Sequence, residues 1–158
     1  MSSFTAKLKT TQLSIKPRRW RLEKGFRYYI GKEDSDLWID MLPGFVFDGG
    51  SIPRCVWWID APMGDGAQAY CLHDGLYQAE VAPRYLCDNT MLEGLQVLSM
   101  GWSRRSIIYN QVWMWGWKVW SRHTRESILE GRKYVRTSFP MPPLPEQLPV
   151  NGPPLMGV

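Results

Sequence analysis

The chain has 158 residues, 44% of them hydrophobic, nine tryptophans and a formal net charge of +4, enough for one domain with a sizeable core. No apolar run nears the eighteen or so residues of a membrane span, and the polar start MSSFTAKLKTTQ does not resemble a secretion signal. Three cysteines, an odd number, exclude a disulfide framework, and two histidines without a close cysteine pair argue against structural zinc.

Residues 1–50 read as β. Short β-rich runs, Gln12 to Lys16, Trp20 to Leu22, Phe26 to Ile30, Leu37 to Met41 and Phe45 to Phe47, are separated by Pro17, Gly25, Gly31, Pro43 and Gly44. They predict a small antiparallel sheet. Lys16, Arg18, Arg19, Arg21 and Lys24 make this segment basic, and an acidic stretch from Glu33 to Asp48 follows. Such runs are either solvated faces or contacts to phosphate, and no nucleic-acid motif accompanies them.

After FDGGSIP the period changes and residues 51–136 read as helical. Ser51 caps a short helix carrying Cys55 to Ile59. A second runs from Asp65 to Ala79, a third from Pro83 to about Met100, and a fourth, capped by Ser103, from Arg104 to about Arg122. The segment TRESILEGRKYVR reads as more helix, interrupted at Gly131. Residues 137–158 form a Pro-rich tail, whose last 19 residues hold seven of the twelve prolines. It is expected to be an extended or disordered arm. The fold class is therefore α+β: a small N-terminal antiparallel sheet, three or four packed helices, and an extended arm, with residues 1–136 as one domain.

The chemistry concentrates in two of these helices. Tyr70, His73, Asp74 and Tyr77 share one side of the first. On the next, Asp88 heads the series Met91, Leu92, Leu95, Leu98, Ser99, Trp102, which has the spacing of a core-facing stripe. A buried lone carboxylate needs a partner. The short turn makes the helices antiparallel, and at about 1.5 Å rise per residue His73 and Asp88 reach similar depth. A His73–Asp88 hydrogen bond follows. It either frees the other ring nitrogen as a base or merely ties the helix hairpin together.

The residues Pro62, Ala69, His73-Asp74, Tyr77, Arg84 and Asp88 resemble the catalytic helix pair of the phospholipase A2 superfamily, closest to its reduced, disulfide-poor viral version. That resemblance covers about thirty residues. It implies that His73 is the general base, that Asp88 orients it, that Tyr77 supports the aspartate and that Asp74 is a ligand of Ca2+. The further calcium oxygens would come from a glycine loop. The nearest segment is Phe47-Asp48-Gly49-Gly50-Ser51, in which Asp48, Gly49 and Gly50 are the candidate ligands; it does not match the lipase loop, and a strand-ending turn is the other reading. A wider pattern, FDGGSIP, HDGLY, a basic residue and an aspartate on the next helix, resembles an uncharacterised domain family common in bacteriophages and prophages, from about Trp20 to Trp120.

Trp113, Trp117 and Trp120 form one stripe of the long helix and Ile108, Val112, Trp115 and Val119 another, so the helix belongs to the core or to an interface. His123 is expected at the surface, and the cysteines as small core residues. The candidate partner-binding residues are Trp113, Trp117, Trp120, Pro142, Pro143 and Pro145. The expected partners are other phage virion proteins, engaged through the arm within an oligomeric assembly. Membrane phospholipid is a second expectation, and no nucleic acid is expected. The expected location is the virion, after synthesis in a host cytoplasm. Two functions compete: a phospholipase-like hydrolase acting on the host envelope, and a non-catalytic structural or assembly protein of the particle's tail or connector region.

Overall fold

The computed structural model describes residues 1–48 and 63–146. Its strands are β1 (Ser3–Phe4), β2 (Thr10–Ile15), β3 (Arg18–Leu22), β4 (Phe26–Tyr29), β5 (Trp38–Met41) and β6 (Val46–Phe47). The helices α1 (Ala67–Ala79), α2 (Arg84–Val97), α3 (Trp102–Trp120) and α4 (Arg125–Arg132) follow, and β7 (Val135–Thr137) ends the series. The fold is α+β, as the sequence predicts. The helix expected over Ser51 to Ile59 and the residues Gly49, Gly50 and Cys55 lie outside the described residues.

The strands make two antiparallel sheets, β1-β4-β5-β7 and β2-β3-β6. Alternation sets their inner faces. Phe26 and Tyr28 of β4, Ile39 and Met41 of β5 and Val135 of β7 all turn inward and are buried. Trp20 and Leu22 of β3 and Phe47 of β6 do the same for the second sheet.

These faces cover α1, which is buried on nearly its whole circumference. Gly75 lets α1 sit against the first sheet, since a Cβ there would overlap the Met41 side chain. On other sides α1 meets α2 and α4. Arg132 of α4 closes the C-terminal end of α1 by donating from Nε to the Ala79 carbonyl at 2.9 Å, which places a cation where the helix dipole favours one.

Three expectations change. The segment Thr124 to Arg136 is not one interrupted helix. Thr124 caps α4 through a capping box with Ser127, α4 stops at Arg132, and β7 then pairs with β5, Ile39 opposite Thr137. Gly131 lies inside α4 as a contact point, because a Cβ on it would come within 2.6 Å of the Gln78 backbone of α1. Of the two readings of α3, core or interface, the core one fails: only Ile108, Val112 and Gly116 are buried, while Trp113, Trp115 and Trp117 are 54%, 45% and 56% exposed. The reason is that α3 lies at the outside, packed on α2 along one line spaced four residues apart. Trp102, placed on the core stripe by its spacing, is 73% exposed because α2 ends at Val97 and the turn through Ser99, whose φ is 62°, breaks the series.

Among the described residues no helix is long and apolar enough to cross a membrane. The first part of the tail lies along its own domain. Pro142 and Pro145 offer their carbonyls to Arg132 Nη2 at 2.7 Å and Arg125 Nη1 at 3.2 Å. Phe139, Pro140 and Pro142 line one side of an apolar cavity of about 330 Å³ against Leu76, Val81 and Leu86. Pro143 is exposed.

The α1–α4 contact predicts a graded response to alanine. Gly131→Ala is expected to destabilise the protein by about 1–3 kcal/mol through overpacking against backbone. Gly101→Ala, which meets nothing within 4 Å, is expected to stay within about 0.5 kcal/mol of the native protein. Urea denaturation of both variants checks the contrast.

Candidate functional site

The site is built on α1 and α2, antiparallel and joined by a short turn. Asp88 of α2 is fully buried. Its Oδ1 accepts from His73 Nε2 at 2.9 Å and from the Tyr77 hydroxyl at 2.5 Å. Its Oδ2 has no hydrogen bond among the described residues, but Arg84 Nη1, one turn earlier on α2, stands 3.7 Å away. The same Nη1 donates to the Trp113 carbonyl of α3 at 3.0 Å. Thus a carboxylate in the core has two hydrogen-bond donors and one neighbouring cation, which offset much of its desolvation. The expected His73–Asp88 hydrogen bond is present, and the Tyr77 hydroxyl donates to the same carboxylate oxygen.

With Nε2–H donating to Asp88, a neutral imidazole leaves Nδ1 as its basic nitrogen. The His73 ring is stacked at a tilt on Tyr77, centroids 4.1 Å apart, and Tyr77 meets Trp120 edge-on at 5.1 Å. Burial, reinforced by the hydrogen bond to Asp88, pushes the Tyr77 hydroxyl far above its ordinary value. It therefore stays protonated as a donor at neutral pH. Burial likewise pushes the thiol of Cys87, next to Asp88, up to about 12 and that of Cys71 well above its usual range. Both are inert core residues, as expected from the sequence.

An open cleft of about 360 Å³ lies at the outer edge of this network, and Tyr77 is the residue common to both. Asp74 and Gln78 of α1, Asp48 after β6, Arg19 of β3 and His123 after α3 also line it. The structure therefore brings Asp48 and Asp74, far apart in sequence, to one cavity. His73 is not among the lining residues and is only 4% exposed.

Calcium binds hard oxygen ligands, six or more of them. Asp48 and Asp74 fit that donor type, and Gly49 and Gly50 lie outside the described residues. Among the described residues no group of three or more His, Cys, Asp or Glu side chains could hold a metal ion. Asp48 and Asp74 thus fit such an ion in the kind of donor, and they line one cavity.

Sequence reasoning misplaced His123 and missed Gly116. His123 is not a plain surface residue: its Nδ1 is 3.0 Å from Glu80 Oε1, its ring packs near Trp120, and it walls the cleft. The cause is the tight turn after α3, which folds His123 back over the end of α1. Gly116 is where α3 comes closest to the network, since a Cβ there would fall 2.5 Å from the Tyr77 hydroxyl and 3.0 Å from Arg84 Nη1. A glycine midway along an otherwise Trp-rich helix was its only signal. Trp120, grouped by spacing with Trp113 and Trp117, belongs to the network instead: it is partly buried against Tyr77.

The fold defines a small α+β protein with a buried Tyr-His-Asp hairpin beneath an acidic-walled cleft. A family model described as a protein of unknown function, DUF1353, matches residues 20–112. The chain belongs to that family. No curated protein and no solved structure matches it.

The buried acids set a pH limit. A phenol or thiol whose value is raised in the native state holds its proton there after the unfolded chain has released it. The corresponding stability is complete below the unfolded values, about 8.5 for cysteine and 10 for tyrosine, and is lost as pH rises through the native ones. Denaturation midpoints are expected to fall steadily between about pH 8.5 and pH 11, and Tyr77→Phe to give a shallower decline. A native midpoint that stays level over that range would contradict the burial of these groups.

Proposed function

We propose that this chain is a bacteriophage virion protein of the tail or connector region, and that the cleft above the Tyr77–Asp88–His73 network is a phospholipase-like hydrolytic site directed at the host envelope. One observation carries the reading. The two acidic residues assigned to a cation, Asp48 and Asp74, line the same cavity as Tyr77, whose hydroxyl shares Asp88 Oδ1 with His73 Nε2. The phage attribution is supported by the FDGGSIP and HDGLY pattern.

In this reading Asp88 holds the imidazole so that Nδ1 takes a proton from water. Tyr77, kept protonated, donates to Asp88 and fixes its position. Asp48 and Asp74 would hold a calcium ion, which when bound polarises an ester carbonyl. Arg19 adds a positive wall suited to a phosphate group.

A second reading has its own observation: His73 is 4% exposed, which suits a network that only fastens α1 to α2. The exposed tryptophans of α3 then serve partner subunits of the particle, as does the arm.

Calcium-dependent release of fatty acid from phospholipid vesicles decides between them. The native protein is expected to release it, Asp74→Asn to lose the calcium response, and His73→Gln to fall at least about 10²-fold. Asp74 is partly exposed, so its variant is expected to fold as the native protein does, which urea denaturation verifies. No release by the folded native protein with calcium would sink the hydrolase reading and leave the architectural one.

A further inference from the structure

The charge of this molecule is unevenly placed. Residues 7–24 carry seven Lys or Arg and one Glu, a net +6, while the whole chain totals +4 and the remainder is therefore −2. Four of those cations, Lys16, Arg18, Arg19 and Arg21, fall on one hairpin, β2–β3, which carries no Asp or Glu. Among the described residues β6 pairs with β3 at Trp20 and Arg21, and Ser14 to Arg19 form the outer half of the β2–β3 hairpin. Lys16, Arg18 and Arg19 are exposed there, and so is Arg21 further along β3, which pairs with Glu23. The apolar side chains of the same segment do not turn inward: Ile15 is 71% exposed and Leu13 46%.

We propose that the β2–β3 hairpin is a docking arm for an anionic lipid bilayer. Clustered cations next to a lipid surface contribute about 1 kcal/mol each to attraction by acidic headgroups. Protruding Ile15 and Leu13 gain by entering the headgroup and acyl boundary. A duplex nucleic acid would use the cations but would leave Ile15 in water, so the pairing of charge with an exposed apolar tip favours lipid. The hairpin also adjoins the cleft, because Arg19 belongs to both. Docking through it brings the cleft wall of Asp48 and Asp74 toward the membrane. Binding by the hairpin stands independently of hydrolysis; only this presentation of the cleft rests on the hydrolase reading.

The test is cosedimentation of the full chain with vesicles of ether-linked phosphatidylglycerol and phosphatidylcholine, which bind but cannot be hydrolysed at an ester. A chelator removes calcium bridging. Partition onto phosphatidylglycerol vesicles is expected, with none onto phosphatidylcholine alone, and loss in about 1 M salt, where the Debye length is about 3 Å. Lys16→Glu combined with Arg21→Glu is expected to weaken partition on the order of 10²-fold. Ile15→Ser, with charge unchanged, is expected to weaken it about tenfold. Thermal melting checks that both variants fold. Undiminished partition of the charge-reversed protein would overturn the proposal. So would retention of duplex DNA on a filter by a protein that ignores the vesicles, which would assign the hairpin to nucleic acid. Intact vesicle binding without fatty acid release from ester-linked lipid would remove the hydrolase reading and leave the docking arm standing.

Discussion

A carboxylate with no exposure to water organises this molecule. Asp88 cannot stay charged in a core without donors aimed at it, and removing one partner of such a group typically costs several kcal/mol. Its requirements reach three helices. His73 and Tyr77 must stand one turn apart on α1, Arg84 must lie one turn before it on α2, and α3 must come close enough for Arg84 to reach the Trp113 carbonyl. The register of α1 against α2 is thereby pinned at one depth, since a slip of one residue would bring Leu72 or Asp74 to the place of His73.

The surrounding architecture serves the same helix. Because α1 is buried almost all round, both sheets, α2 and α4 must each provide a face for it, and the approach distances are set by small residues. Gly75, Gly116 and Gly131 mark the contacts with the first sheet, the Tyr77 hydroxyl and α4. Where the close packing ends, polar chemistry begins: the outer edge of α1 presents Asp74 and Gln78 to a cleft whose other walls come from β3, β6 and the turn after α3. A buried, rigid network with one member at a solvent-filled cavity is a sound support for a catalytic group. It is equally a sound way to lock a helix hairpin.

Much of this was legible beforehand, for stateable reasons. Strands β2 to β6 follow from β-branched and aromatic runs between glycines and prolines. The α1–α2 hairpin and the Asp88–His73 pair follow from helical spacing together with the cost of an unpaired buried charge. The errors share one cause. Tryptophan spacing on α3 shows that a stripe exists but not whether anything covers it, and Trp113 and Trp117 face solvent while Trp120 packs on Tyr77. The basic segment after α3 has helical composition throughout, yet Val135 to Thr137 leaves the helix because β5 offers an unpaired edge.

By itself, then, the sequence determined strands β2 to β6, helices α1 to α3, the α+β class and the pairing of His73 with Asp88, because propensity, periodicity and the desolvation of a charge act over short distances along the chain. Only the tertiary structure decided which residues share the cleft. Asp48, Asp74 and His123 are separated by whole elements, and His123 is drawn in by a turn and by Glu80, features no local pattern encodes. It also decided that Lys16, Arg18, Arg19 and Arg21 would share one exposed hairpin, since β2 and β3 pair antiparallel from Thr10 opposite Leu22 to Ile15 opposite Arg18. The exposure of a side chain is a property of the assembled sheets, and no residue of the hairpin itself records it.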